Sequence, residues 1–252
     1  MQYLNSCDRI IDMTENKKTT IVSKESASPN RSELARQMFD AGVHFGHKKT
    51  NHHPKMEPYI CSIKNNIQII DLEKTIEGLE GALNFIKEII KNNGKILFIG
   101  IRPQCYQIVK RTAEKCKMPY VALRWIGGLL TNFKTIKKRI DYFVDMEKKR
   151  DAGDLKKYTK KEQKHFEKEI EKLKKNFDGL RELDKLPEAI FVLGVKEHLT
   201  AIKEAKRKKI PVISLVDTDS NPSLIDYIIP SNDEAVSALK FMLEQVEVAI
   251  MQ

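Results

Sequence analysis

Apolar positions recur along this chain with two different periods, and the changes of period mark its elements. A helix is predicted from the N-capping Ser32, with Gln37 and Met38 on its course, to the stop at Gly42. Val43 to Thr50 follows as a loop with strand character, and Pro54 and Pro58 punctuate what comes next. Tyr59 to Ile63 and Ile67 to Ile70 are two short apolar runs around Lys64-Asn65-Asn66, which predicts a β-hairpin. From Asp71 the spacing becomes helical. Leu72, Ile76, Leu79, Leu83, Ile86 and Ile90 form one stripe that ends at Asn93-Gly94.

Continuous apolar runs then alternate with helical stretches. Lys95 to Ile99, Tyr120 to Leu123, Ala189 to Leu193, Val212 to Val216 and Tyr227 to Pro230 are predicted strands. Gln104 to Lys115, Lys196 to Lys208 and Asp233 to Ile250 are predicted helices. Strand–helix alternation of this kind calls for a doubly wound parallel sheet with helices on both faces.

One block breaks the alternation. Phe133, Ile136, Ile140 and Phe143 recur at helical steps, as do Phe166, Ile170, Leu173 and Phe177, with a turn at Asp151 to Asp154 between them. Two narrow apolar seams joined by a turn predict an antiparallel helical hairpin projecting from the sheet. The expected organisation is therefore a flexible extension over 1–31, an α/β domain built from 32–131 and 179–252, and an inserted hairpin over 132–178. The extension is rich in Ser, Thr, Asn, Lys and Glu without apolar periodicity, and its acidic residues argue against a transit peptide.

Charge changes the picture. The net charge is +10 with 32% charged residues, a balance that favours a polyanionic partner, nucleic acid before an acidic membrane surface. No apolar run is long enough for a membrane span, and the N-terminus lacks the apolar core of a secretory signal. The four cysteines are scattered without a CxxC pair, so neither a disulfide framework nor a cysteine zinc site is expected, and reduced thiols are the simplest reading.

The richest local chemistry lies in Arg124-Trp125-Ile126-Gly127-Gly128, continuing to Asn132 and Lys134, with the only tryptophan of the chain. Paired glycines permit a positive φ or a close approach, while an arginine beside an indole suits a phosphate next to a stacking surface. Lys137, Lys138 and Arg139 extend this basic run into the hairpin, whose outer faces also carry Lys148, Lys149, Arg150, Lys160, Lys161 and Lys164. His44 and His47 are spaced to share a metal, with Asp217 or Asp219 as a completing ligand, but no spacing fixes the remaining ligands. The better reading has the two histidines packing within their loop or facing phosphate beside Lys48 and Lys49. Gly100 follows a strand where a dinucleotide fold places its first glycine, yet neither GxGxxG nor a Walker lysine follows, which leaves Arg102 free for an RNA phosphate. No nucleophile–base arrangement is declared, so an enzyme would require an unfamiliar constellation.

Several stretches in order resemble the bacterial form of small ribosomal subunit protein two. They include Ala41 to His47, Asn51 to Tyr59, Ile69 to Thr75, Arg124 to Thr135, Leu186 to Ala189, Val216 to Thr218 and Ile229 to Asp233. The resemblance implies a flavodoxin-like α/β domain, with a coiled-coil hairpin inserted after the third sheet strand. It implies no catalysis and no cofactor or metal. The implied partners are small-subunit rRNA and neighbouring small-subunit proteins, among them the large OB-repeat ribosomal protein, with no membrane and no homo-oligomer. It also implies a cytoplasmic, ribosome-bound protein. The competing reading is a nucleotide- or phosphate-handling enzyme on the same kind of fold.

Overall fold

The computed structural model describes residues 29–153, 157 and 159–251. The extension expected over 1–31 lies outside these residues up to position 28. The first helix, α1 (Pro29–Asp40), starts before Ser32, with proline in the first turn, where its missing N–H has no partner to lose. Three short strands follow, β1 (Phe45–Lys48), β2 (Ile60–Lys64) and β3 (Ile67–Ile70), and form a small antiparallel sheet in the order β1-β3-β2. Asn65 and Asn66 both take positive φ, 49° and 66°, as the tight turn between β2 and β3 demands. The stretch read as a loop with strand character is thus a strand in its central four residues.

The amphipathic helix α2 (Leu72–Lys91) is capped by Asp71, whose side chain accepts from the Glu73 N–H. Its stripe is wider than six positions. Ala82 and Ile89 are buried, and Leu83 and Ile90 flank them half-buried, because a long helix rotates its apolar face slowly past the sheet. The main sheet then assembles from β4 (Ile96–Ile99), β5 (Tyr120–Val121), β6 (Ala189–Leu193), β7 (Val212–Val216) and β8 (Tyr227–Pro230), all parallel, in the order β5-β4-β6-β7-β8. Counted along the chain this is the 2-1-3-4-5 order of flavodoxin-like folds. Every residue of β4, β6 and β7 is buried, the expected outcome for apolar runs covered on both faces.

Two apolar cores flank the sheet. One holds α2, α3 (Pro103–Cys116) and the final helix α7 (Val236–Met251). The other holds α4 (Phe133–Asp151), α5 (Lys160–Phe177) and α6 (Leu199–Arg207). Three expected elements shift. The strand at Tyr120 stops at Val121, leaving Leu123 exposed. The helix expected from Lys196 begins with a 3-10 turn at Lys196–His198. The last helix starts at Val236, because the Asn232 side chain accepts the N–H groups of Glu234 and Ala235 and holds the entry open. Cys105 and Cys116 are free and buried, while Cys61 is disulfide-bonded, which corrects the expectation of reduced thiols at that position.

The insertion follows the second strand of the parallel sheet in chain order, not the third. Its helices pack on each other, and Tyr142 of α4 donates to Glu169 of α5. A capping box formed by Thr159 and Glu162 fixes the start of α5. Asp154, within the expected turn, lies outside the described residues. The boundary expected at residue 132 does not separate two cores. Ile136, Ile140, Phe143 and Met146 belong to one apolar cluster with Leu97 and Ile99 of β4 and Ile190 and Val192 of β6. The physical reason is topological: α4 stands where the crossover helix between β5 and β6 must cover the sheet, so its inner face is needed there.

Candidate nucleic-acid interface

The loop from Arg124 to Asn132 is built around a single carboxylate. Glu204 of α6 is 6% exposed and takes five hydrogen bonds from the loop. Its Oε1 accepts from Trp125 Nε1 at 3.0 Å and the Gly128 N–H at 2.9 Å. Its Oε2 accepts from the Leu130 N–H, the Thr131 N–H and Thr131 Oγ1, each at 3.1 Å. Burial pushes this carboxyl up. The donors from Trp125, Gly128, Thr131 and Leu130 outweigh burial and hold it below the usual carboxylate range. Gly128 has φ +88°, so one of the paired glycines has its conformational reason, while a side chain at Gly127 would meet open space. Leu129 and Leu130 are fully buried beneath the turn. The loop is therefore a rigid platform. Arg124 is exposed on it, whereas the indole N–H of Trp125 is taken by Glu204 and the ring is half-buried. Trp125 anchors the loop from within, and its polar atom is not available to a ligand.

A second cluster lies at the C-terminal ends of the parallel strands, where folds of this order bind phosphates. Here the place is taken by the protein's own charges. Arg102, expected to be free, donates to Asp233 Oδ1 at 2.7 Å and to Glu197 at 2.8 Å, with its side chain 13% exposed. His47 Nδ1 lies 3.2 Å from Asp217, and its Nε2 lies 3.5 Å from Asp219 and 3.4 Å from Glu234. Asp217 leads in raising this imidazole to about 9 against the effect of burial, with Asp219 and Glu234 adding to it. Lys196 pairs with Asp219 at 2.5 Å. Burial and the neighbouring Asp217 push Asp233 up to about 7, although Arg102 opposes the shift. Five carboxyl groups (Glu197, Asp217, Asp219, Asp233, Glu234) thus surround three cations (Arg102, Lys196, His47), so the cations at this place are already paired within the protein. His198 is also engaged: it accepts the Ile101 N–H at Nε2, and its Nδ1 lies 2.7 Å from the Gly194 carbonyl.

His44 does not join His47. It is 5% exposed, stacked on Phe39 with centroids 4.2 Å apart, and burial lowers it to about 4, so it is a neutral packing residue. No group of three or more His, Cys, Asp or Glu side chains suited to a metal occurs among the described residues. The remaining sequence candidates sort by exposure. Lys48, Lys49, Arg124, Asn132, Lys134, Lys138 and Arg139 are exposed. Lys137 is tied to Asp184 at 2.8 Å and Asp141 at 3.2 Å, so it is a brace for α4 rather than a free cation. Lys48 and Lys49 close β1 on the small sheet, while the others run along the loop and the first turns of α4. Sequence reasoning missed Glu204. Its signal is a carboxylate placed beside the buried face formed by Ala201, Ile202 and Ala205.

The family model described as Ribosomal protein S2 matches residues 38–252. A relative named small ribosomal subunit protein uS2 from Francisella tularensis subsp. holarctica is 45% identical over 219 residues, covering 86% of this chain and 91% of its own. Proteins of the same name from Coprothermobacter proteolyticus (42%, 86% of this chain, 81% of the relative) and Dictyoglomus thermophilum (44%, 87% and 89%) align over the same extent. With a matching model over most of its length and relatives this similar, the chain belongs to the ribosomal protein S2 family.

Proposed function

We propose that this protein is a structural constituent of the small ribosomal subunit, non-enzymatic and of the bacterial type. Its proposed role is to hold small-subunit rRNA through phosphate contacts and to pack against neighbouring subunit proteins, the large OB-repeat protein among them. It works in the cytoplasm as part of the ribosome. The observation that carries the RNA reading is the division of its charges. The fold's usual phosphate site is filled by the protein's own carboxylates, while Arg124, Lys134, Lys138 and Arg139 stand exposed on a loop and helix braced by Glu204 and the sheet. A braced cation loses little freedom on meeting a phosphate, so its contact retains more of its Coulomb gain. The phosphate-handling enzyme reading loses its site for the same reason.

Each neutralised phosphate releases counterions, so the logarithm of the affinity for folded small-subunit rRNA should fall linearly with the logarithm of salt concentration. Filter binding across a salt titration tests this. A steep slope and a preference for folded rRNA over duplex DNA are expected. A flat titration, or a preference for duplex DNA, would contradict the reading.

A further inference from the structure

At the β5 edge of the parallel sheet, α3, α5 and the strand exit enclose an open groove of about 280 Å³. Tyr106 and Tyr120 line it together with Lys110, Arg124, Lys174 and Lys175. The groove is built by close packing. Gly179, just after α5, lies so near Tyr120 that a β-carbon there would stand 2.4 Å from the Tyr120 carbonyl oxygen and 2.7 Å from its ring. Only glycine lets the returning chain press on that tyrosine. Burial, followed by Asp178, pushes the Tyr120 hydroxyl up to about 12.

The charges around this aromatic lining are uneven. Arg124, Lys174 and Lys175 are exposed and have no ion-pair partner among the described residues. Lys110 has only a loose contact with Glu114 at 3.7 Å. Two acids also line the groove, Glu171 and Asp178, and Asp178 is held by Arg181 at 2.7 Å. Cations beside tyrosine side chains suit an unpaired nucleotide, whose base stacks on aromatic rings and whose phosphates are anionic. An acidic peptide would use the cations but leave the aromatic lining without a specific partner. The groove is open on one side, which lets a polymer pass through.

We propose that this groove binds one unpaired nucleotide of small-subunit rRNA, with the base against Tyr106 and Tyr120 and the flanking phosphates on Arg124, Lys174 and Lys175. The proposal rests on the ribosomal reading above and names a contact within it. It also gives α5 a direct part in RNA binding at its last turn, where Lys174 and Lys175 lie.

The test uses the full-length protein and folded small-subunit rRNA in filter binding at about 0.1 M salt, where the screening length is about 10 Å. The variants are Lys174→Glu with Lys175→Glu, and separately Tyr106→Ala and Tyr106→Phe. The control is Lys203→Glu with Lys240→Glu, an equal charge change at exposed sites outside the groove. The groove pair should lose at least about tenfold in affinity and the control pair no more than about threefold, since a remote charge acts only through a screened field. Tyr106→Ala should lose about tenfold while Tyr106→Phe binds as the parent does, because the ring and not the hydroxyl carries the stacking. Equal losses for the groove and control pairs would overturn the proposal, reducing the effect to net charge. Unchanged rRNA binding by the groove pair with poorer incorporation into subunits would overturn it in favour of a protein partner. A melting curve for each variant identifies misfolding, and should Tyr106→Ala misfold, the lysine pairs decide. If the parent protein itself neither binds rRNA nor enters subunits, the ribosomal reading fails and the groove proposal falls with it. Parent binding with unaffected groove variants defeats the groove alone.

Discussion

Glu204 carries more of the interface loop than any residue the loop itself contributes. Five donors converge on it, and the buried Leu130 N–H above all would be left without an acceptor if it were removed. Replacing it with Gln keeps one oxygen but turns an amide N–H toward the donors. That change should cost about 2–4 kcal/mol, in line with buried donors losing a charged acceptor. The only tryptophan reports the result directly: a lower urea midpoint should be accompanied by a red-shifted Trp125 emission. A variant with parental stability and emission would show that the loop stands without its carboxylate. The same residue explains what was legible at this scale. Arg124, Trp125 and Gly128 announced a sharply turned loop, but the turn's acceptor lies far along the chain, on another helix, where local spacing says nothing of it.

The charges at the strand ends give a second prediction at the residue scale. His47 titrates near 9 when folded and at 6.5 when unfolded, so its contribution is complete below pH 6.5 and lost as pH rises through 9. Asp233 titrates near 7 when folded against 3.8 unfolded, so the fold also loses stability as pH rises from about 4 to 7. His44 acts in the opposite sense, since its folded value of about 4 removes stability as pH falls below 6.5. Urea midpoints at pH 6.5 and pH 9 should therefore decline for the parent and decline less for His47→Gln. Equal declines for the two proteins would remove His47 from the account.

At the scale of elements, α4 is both the crossover helix of the sheet and the first half of the inserted pair. Phe143 is fully buried, and the Arg181 guanidinium lies 4.9 Å from its ring centroid. Phe143→Ala should cost about 3–5 kcal/mol, the usual range for a large aromatic removed from a packed core. Truncation divides the insertion more clearly. Removing residues 137–176 takes away Ile140, Phe143 and Met146 and should abolish the cooperative melt. Removing only residues 150–164, closed by a short Gly/Ser linker, leaves those side chains and should preserve it. A folded product from the longer deletion would show that the sheet does not need α4. The periodicity of both helices was legible because each keeps one apolar face. Their attachment was not, because a seam facing a partner helix and a face covering a sheet have the same spacing.

Over the whole molecule, the strand–helix alternation between Lys95 and Ile250 was enough to foresee a doubly wound sheet. The flavodoxin-like order came with the family resemblance and is the order found. The binding surface was less legible. Exposed and engaged cations look alike in a sequence, and only the fold sets Arg102 against Asp233 and Lys137 against Asp184 while leaving Arg124 and Lys138 in solvent. Even so, a net charge of +10 on a non-enzymatic frame points to an assembly whose other component is polyanionic. The most direct test of that claim is a density-gradient profile of cell lysate at moderate salt, probed for this protein. The protein should travel with small subunits and with whole ribosomes, and leave them as salt rises. Its recovery in the soluble fraction at every salt concentration, with the subunits free of it, would show that it is not a component of the small subunit.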